Sequence, residues 1–257
     1  MTRDGTTADI PSDWYAESFG ALYPLVYAHR DAASAETEAL FAARCLQLRP
    51  GDRVLDLACG NGRHLFHLVS IAQGAVGLDY SPELLLLARE TLGGRAGLVR
   101  GDMRAIPFAA TFDAVFNFFT SFGYFETDEE NAAVVQTLAA ALAPRGRFFM
   151  DYLNPDHVEA TLVPRSEREI DGHHIVEERW IDTRQRRVNK RTVVRGPRGG
   201  ERVFGESVRL YSYPQMQRLL ETAGLMITAS FGDYTGVDRG PEQPRMILAG
   251  HKVGGHA

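Results

Sequence analysis

The sequence predicts an α/β protein: a mostly parallel sheet with helices on both faces, carrying an antiparallel β insertion. Three observations predict it. Short strand-like runs alternate with helix-like runs from Arg53 to about Pro155. The first of them, "RVLDLACGNGRHLFHL", passes from a buried strand into a helical pattern through two glycines. Beyond Pro155 the alternation yields to a β-rich meander.

In order along the chain, "DWYAESFGALYPLVYAHRD" mixes aromatics with helix formers and reads as one or two short helices. "SAETEALFAARCLQL" is a stronger helix, with Leu40, Phe41, Cys45 and Leu48 on one side, and "RPGD" ends it. Val54–Leu57 is a strand, Arg63–Ser70 a helix and "AVGLDY" a second strand. Ser81 caps the helix "PELLLLARETL", with Pro82 at its first position. "AGLVRGD" and "FDAVFNFF" are the third and fourth strands. Thr127 and Glu130 have capping-box spacing before a helix that runs through Leu142, and "PRG" leads into a fifth strand, "RFFMDYL". The meander from Glu167 to Tyr211 turns at Asp171-Gly172, at Asp182 to Gln185 and at Gly196 to Gly200. "YPQMQRLLETAGL" is a helix ending at Gly224, and "LMITASF" and "RMILAGHKV" are two closing strands. The expected organisation is a lid segment at 1–33, a ligand-binding core at 34–155, the insertion at 156–211, and 212–257 completing the sheet.

Composition narrows the function. The 257 residues are 44% hydrophobic and 24% charged, as in a soluble domain. The polar start "MTRDGTTADIPSDW" lacks the apolar core of a signal peptide, and no apolar run is long enough to span a bilayer. Cys45 and Cys59 match no zinc or redox spacing and read as reduced thiols, so a cytoplasmic protein is expected. No His, Asp and Glu cluster stands at metal-ligand spacing. Net charge is −5, yet Arg184–Arg209 holds nine Lys or Arg against two Glu. Those bases alternate with Val188, Val193, Val203, Val208 and Leu210, the pattern of the wet face of an amphipathic sheet. A solvated or dimer-forming face is the expectation, an anionic substrate comes next, and nucleic acid is disfavoured.

In an open parallel sheet, ligands bind beyond the carboxyl ends of the strands. Gly60 and Gly62 strip side chains from the first such turn. Leu65 stands where a dinucleotide fingerprint needs a third glycine, and Asp56 would repel a pyrophosphate but suits an ammonium. Asp79, about twenty residues beyond the loop, stands where a carboxylate accepts from ribose hydroxyls. Tyr80 can lie against a base, Asp102 can accept from an exocyclic amine, and the Met103 amide can serve a ring nitrogen. The ligand expected is a nucleoside bearing an amine.

"VLDLACGNGRH", "GLDYS", "GDMRAIPF", "FDAVFNFFTSFGYF" and "LAPRGRFFMDYLNP" resemble the successive motifs of class I S-adenosylmethionine-dependent methyltransferases, in family order and at family spacing. The resemblance implies a Rossmann-like sheet of seven strands with a reversed last strand. It implies S-adenosyl-L-methionine as cofactor and S-adenosyl-L-homocysteine as product. It assigns Asp56, Gly60 and Gly62, with Ala58 and Asn61 in the same loop, to the methionine and ribose side. Asp79 falls to the ribose, Tyr80 to the adenine face, and Asp102 and Met103 to its edge. Asn117 and Phe118 lie beside the donor.

Displacement at a sulfonium needs in-line approach more than acid–base help. Acceptor-side candidates follow the fourth and fifth strands: Phe119, Ser121, Phe122, Tyr124, Asp151, Tyr152, Asn154 and His157. Tyr124 and His157 are the candidate bases. His64 reads as a packed or capping residue, and His173 and His174 as solvated turn residues. Trp14, Tyr15, Phe19, Tyr23 and Tyr27, with Arg30, form the expected lid, Tyr23 and Tyr27 foremost. No Asn/Asp-Pro-Pro-Tyr signature of base-amine chemistry follows the fourth strand, where "NFFTSFGYF" stands. No Pro-Cys nucleophile appears. The insertion also resembles in arrangement the one in amino-sugar N,N-dimethyltransferases and glycine N-methyltransferase-like enzymes. The expected activity is methyl transfer to a small molecule, with N or O acceptor open. The alternatives are an RNA or protein methyltransferase using the basic insertion, or a donor-binding protein without catalysis.

Overall fold

The structure, a computed structural model, describes residues 10–20, 22–27 and 32–254. At its centre is β1 (Val54–Leu57), buried at every position. A strand covered on both faces reads as an unbroken apolar run, and this one is broken only by Asp56. β1 pairs in parallel with β2 (Ala75–Asp79) on one side and β4 (Phe112–Asn117) on the other. β3 (Gly97–Arg100) lies outside β2, half-exposed as an edge strand. β5 (Leu142–Leu153) lies outside β4. β10 (Leu225–Phe231) and β11 (Arg245–Lys252) close the sheet, β11 running antiparallel to both β5 and β10. The seven-strand order is β10-β11-β5-β4-β1-β2-β3. Strand order reverses at β1, so the carboxyl ends of β1 and β4 border the crevice in which open sheets bind ligands.

The helices follow their local chemistry. In α5 (Pro82–Leu92) Ser81 Oγ accepts from the Leu84 amide at 3.1 Å, and Gly93 leaves the helix in the left-handed region. α6 (Asp128–Ala141) has the reciprocal Thr127–Glu130 capping box. α8 (Tyr213–Thr222) has one from Ser212 and Gln215. Three elements differ from expectation. β5 begins at Leu142 and takes in the "PRG" stretch expected to be a turn. α4 (Leu65–Leu68) is a single turn rather than a helix from Arg63 to Ser70. α3 (Ala32–Cys45) turns Leu40 outward, while Ala35, Ala39, Ala42 and Phe41 face the core. Small residues let that helix approach its neighbours closely, which the size of Leu40 would prevent.

The insertion is a second sheet, order β6-β7-β8-β9. Its strands are β6 (Arg165–Ile170), β7 (His173–Asp182), β8 (Arg187–Arg195) and β9 (Glu201–Arg209), all antiparallel. α7 (Pro155–Thr161) leads into it from β5. Before the core lie two one-turn helices, α1 (Tyr15–Ser18) and α2 (Tyr23–Val26). Among the described residues no helix is long and apolar enough to cross a membrane.

Candidate functional site

The β1–α4 turn is built by close packing. Ala58 and Gly60 lie in the left-handed region, with φ of 60° and 55°. Gly62, at φ 77°, faces α5: a Cβ there would stand 3.2 Å from Ala88 and 3.3 Å from Leu92. Its missing side chain therefore seats the loop on α5 instead of exposing backbone to a ligand. Gly77 in β2 makes the matching concession, since a Cβ there would stand 2.7 Å from Cys59 Sγ.

Asp79 fastens this loop. Its Oδ2 accepts from the Gly60 amide at 2.7 Å and its Oδ1 from the Ser81 amide at 2.9 Å. The Gly60 N–H is thus given to Asp79, which departs from the expectation that it would serve a ligand. Burial raises the Asp79 carboxyl above the ordinary range, against the pull of these amides. Asp56 lies behind the loop, 1% exposed, with Oδ2 buried and lacking a hydrogen-bond partner. Burial first, then the nearby Asp79 charge, push it up to about 8, while Arg63 opposes them. Burial pushes the Cys59 thiol far up as well, which disqualifies it as a nucleophile.

In front of the loop is a cavity with about 750 Å³ of empty space. Ala58, Gly60, Asn61, Asp79, Tyr80, Met103, Phe118, Phe119, Ser121, Tyr23 and Tyr124 line it, as do Arg63 and His64. A narrower slot beyond strand β3 is lined by Tyr80, Asp102, Met103, Tyr15 and Phe125. Asp102 receives the Arg104 guanidinium, with Nη2 at 2.6 Å, and the Arg104 amide at 2.8 Å. Burial alone would raise Asp102, but Arg104 outweighs it and holds the carboxyl below the ordinary range. Arg104 also reaches Glu130 and the Tyr15 hydroxyl. Tyr15 meets Tyr80 edge-on at 5.6 Å, so the slot has aromatic walls and a carboxylate at its edge.

Asn117 Nδ2 donates to the Leu57 and Ser121 carbonyls at 3.0 and 3.1 Å, and its buried Oδ1 lacks a partner. Phe118 stacks on His64, with ring centroids 4.1 Å apart and planes 10° from parallel. His64 makes no capping bond; its Nε2 lies 2.6 Å from the buried Glu38. Asp151 accepts from the Phe119 amide, the Tyr234 hydroxyl and Arg245 Nε, which fixes the left-handed Phe119-Thr120 corner.

Several expected residues lie elsewhere. His157 sits on α7 with Nδ1 3.1 Å from the Glu242 carbonyl, away from the cavity wall. Tyr152 is fully buried and its hydroxyl donates to the Arg209 carbonyl, tying β5 to the end of the insertion. Phe122 packs against Tyr152 and Tyr211 in the core. Asn154 holds the Gly240 and Gln243 carbonyls. Tyr27 donates to Glu206 and accepts from Lys190 at 2.5 Å, so it anchors α2 to the insertion. Of the two turn histidines, His174 pairs with Glu167 at 3.3 Å and His173 approaches the Asp171 carbonyl at 3.1 Å. Arg30 falls outside the described residues. Of the N-terminal aromatics, Tyr15, Phe19 and Tyr23 line the cavity; the Phe19 carbonyl accepts from Ser81 Oγ at 2.7 Å, and Tyr124 lies 4.9 Å from Trp14 and 5.7 Å from Phe19. Arg63 and Arg104 escaped the sequence reading. The one signal for Arg63 was a cation placed directly after the glycine loop.

A second, larger cleft of about 1670 Å³ lies between the insertion, the start of α6 and the N-terminal segment. It shares Tyr124 with the first cavity.

The family model described as "Methyltransferase domain" matches residues 54–146. A dTDP-3-amino-3,6-dideoxy-alpha-D-glucopyranose N,N-dimethyltransferase of Streptomyces fradiae is 29% identical over 92% of this chain and 94% of its own. A dTDP-3-amino-3,4,6-trideoxy-alpha-D-glucopyranose N,N-dimethyltransferase of Streptomyces venezuelae is 41% identical over 36% of this chain, a match that spans 39% of that relative. The solved structure of S-adenosylmethionine-bound CalS10, an amino pentose methyltransferase from Micromonospora echinaspora, aligns over 90% of this chain and 97% of its own, at TM-score 0.70 and 25% identity. The site fits that donor. Asp79 and Asp102 carry carboxylates on its wall and along the slot, the slot is aromatic-walled, and behind the loop Asp56 keeps an orphaned buried oxygen.

Proposed function

We propose an amine as the acceptor of this chain, a class I S-adenosylmethionine-dependent methyltransferase of small molecules. The acceptor we infer is an amino sugar or a similarly polyhydroxylated amine. The observation that carries this is two cavities that share Tyr124 as a wall residue, one chemically suited to the donor and one polar and large. The larger cleft offers Trp180 as a flat apolar face and Gln185, Asn189 and Ser207 as hydrogen-bonding groups. A sugar ring presents the same mixture of C–H faces and hydroxyls. The relatives named above are N,N-dimethyltransferases of amino sugars.

When bound, S-adenosylmethionine supplies a methyl group that the nitrogen lone pair takes while the C–S electron pair passes to sulfur and one N–H proton leaves to solvent. The chain's own residues orient and enclose. Phe19, Tyr23 and Tyr124 wall the first cavity and exclude water, so approach geometry supplies much of the rate. Tyr124, which lines both cavities, accepts a hydrogen bond from the incoming amine in this reading and relays the departing proton to solvent.

The test is turnover of a dTDP-linked 3-amino sugar and a panel of free amines, read by mass as one and then two added methyl groups. Tyr124→Phe is expected to lower kcat by about a hundredfold, and His157→Ala to leave it unchanged. Methylation confined to hydroxyl acceptors would overturn the amine reading.

A further inference from the structure

We propose that Asp151 is a positioning residue for methyl transfer: it holds the Phe119-Thr120 corner in a strained conformation and so sets the wall against which the acceptor lines up. The inference rests on the methyltransferase reading and adds to it a residue that lines neither cavity.

The strain is in the backbone. Phe119 and Thr120 have φ of 53° and 62°, and among the described residues they are the one pair of successive non-glycine residues with positive φ. Thr120 is also the one β-branched residue among those described with positive φ, where a branched Cβ crowds the neighbouring carbonyl. Such a conformation persists only where its surroundings over-determine it.

Asp151 receives both amides of the corner. Its Oδ2 accepts from the Phe119 N–H at 2.9 Å, and its backbone carbonyl accepts from the Thr120 N–H at 2.8 Å. The carboxylate is fully buried. Arg245 Nε fixes it at 2.7 Å from Oδ1, and the Tyr234 hydroxyl at 2.7 Å from Oδ2. Arg245 donates to Thr120 Oγ1 as well, at 2.9 Å. A buried ion pair adds little stability that a packed apolar pair would not. What this one adds is a directed acceptor for an amide of the corner.

The corner turns the chain leaving β4 into the cavity wall. Phe118 and Phe119 precede its bend and Ser121 and Tyr124 follow it, all four on that wall. Ser121 Oγ folds back to donate to the Phe118 carbonyl at 2.8 Å. Thr120 is off the wall, so replacing it changes the backbone preference without removing a wall side chain.

The experiment compares wild type with Asp151→Asn, Thr120→Asn and the double variant. It reads kcat with the dTDP-linked 3-amino sugar or, failing its turnover, the fastest amine or alcohol of a panel, and S-adenosylhomocysteine affinity by calorimetry. Asparagine enters the left-handed region more readily than threonine and keeps an acceptor for Arg245. The expected result in Asp151→Asn is a loss of about tenfold in kcat, with S-adenosylhomocysteine affinity within about threefold of wild type. The double variant should recover at least about threefold in kcat. Should Asp151→Asn not fold, Tyr234→Phe removes one bond to Oδ2 and leaves the ion pair, and its expected loss of about threefold in kcat should again be reversed by Thr120→Asn. An unchanged kcat, losses of kcat and affinity in step, or no recovery in the double variant would overturn the proposal. A wild type that methylates none of these acceptors would overturn the methyltransferase reading, and the proposal with it.

Discussion

Asp56 shows how much a single position can carry. Burial and the charge of Asp79 push its carboxyl up to about 8, against Arg63. A carboxyl whose folded value exceeds its unfolded value of about 4 binds its proton more tightly when folded. Its contribution is therefore whole below the unfolded value and is lost as pH rises toward the folded one. Denaturant titrations of the ligand-free protein should show stability falling between pH 5 and 8 at up to about 1.4 kcal/mol per unit, and Asp56→Asn should flatten that slope. A bound ammonium reverses the balance by favouring the anion. Calorimetry of S-adenosylhomocysteine at neutral pH, in buffers of different ionisation heat, should therefore report release of close to one proton. No release, with a flat stability profile in the wild type, would mean that Asp56 is ionised before the ligand arrives. Asp79 was legible as a cavity residue because a strand-end acid beside a glycine turn has few other uses, whereas Asp56, expected beside it, lies behind the loop and off the cavity wall. The partners of Asp79 were not legible, because a backbone amide committed to a carboxylate leaves no trace in residue types.

At the scale of elements, legibility tracked how local the determining chemistry was. α5, α6 and α8 start where their caps stand, and the hairpin between β6 and β7 turns at Asp171-Gly172. α4 stops after one turn and Leu40 faces outward because tertiary packing overrides the apolar period. Arg187 is the clearest non-local case. It reads as one more base of a charged strand, yet it is buried and its guanidinium donates to the Gly123, Tyr124 and Phe125 carbonyls and to Ser207. Burial lowers its pKa from the usual arginine value. It thus clamps the loop that carries Tyr124 to the insertion. Arg187→Lys cannot span those four carbonyls and should cost about 3 kcal/mol of stability, measured by denaturant melts. It should also reduce kcat while leaving S-adenosylhomocysteine affinity within about twofold, since the donor loop is braced elsewhere. Loss of donor affinity in step with kcat would show that the clamp serves the whole site.

For the whole molecule, the question is what the insertion's basic surplus does. The sequence displays nine bases between Arg184 and Arg209, but charge patterning cannot show which acids fold against them. The structure pairs them largely within the protein. Lys190 meets Glu206 at 2.7 Å, Arg191 meets Glu178 at 3.4 Å, Arg195 meets Glu201 at 2.9 Å, and Arg209 meets Asp128 at 3.0 Å. Arg186 faces Glu159, and Arg187 is spent on carbonyls. Phosphate binding draws its affinity from cations that release counterions, and a base already neutralised by a neighbouring carboxylate releases few. The larger cleft itself mixes Arg184, Arg187 and Arg209 with Glu126, Asp128, Glu129 and Asp182, so it presents no net positive funnel. Anisotropy with a structured RNA at about 0.15 M salt should therefore show no saturable binding, and lowering the salt should restore only weak, shallow binding. A steep salt slope with tight binding would mean that these pairs open for phosphate. The surface would then have to be reassigned from bracing the larger cleft to holding a nucleic acid.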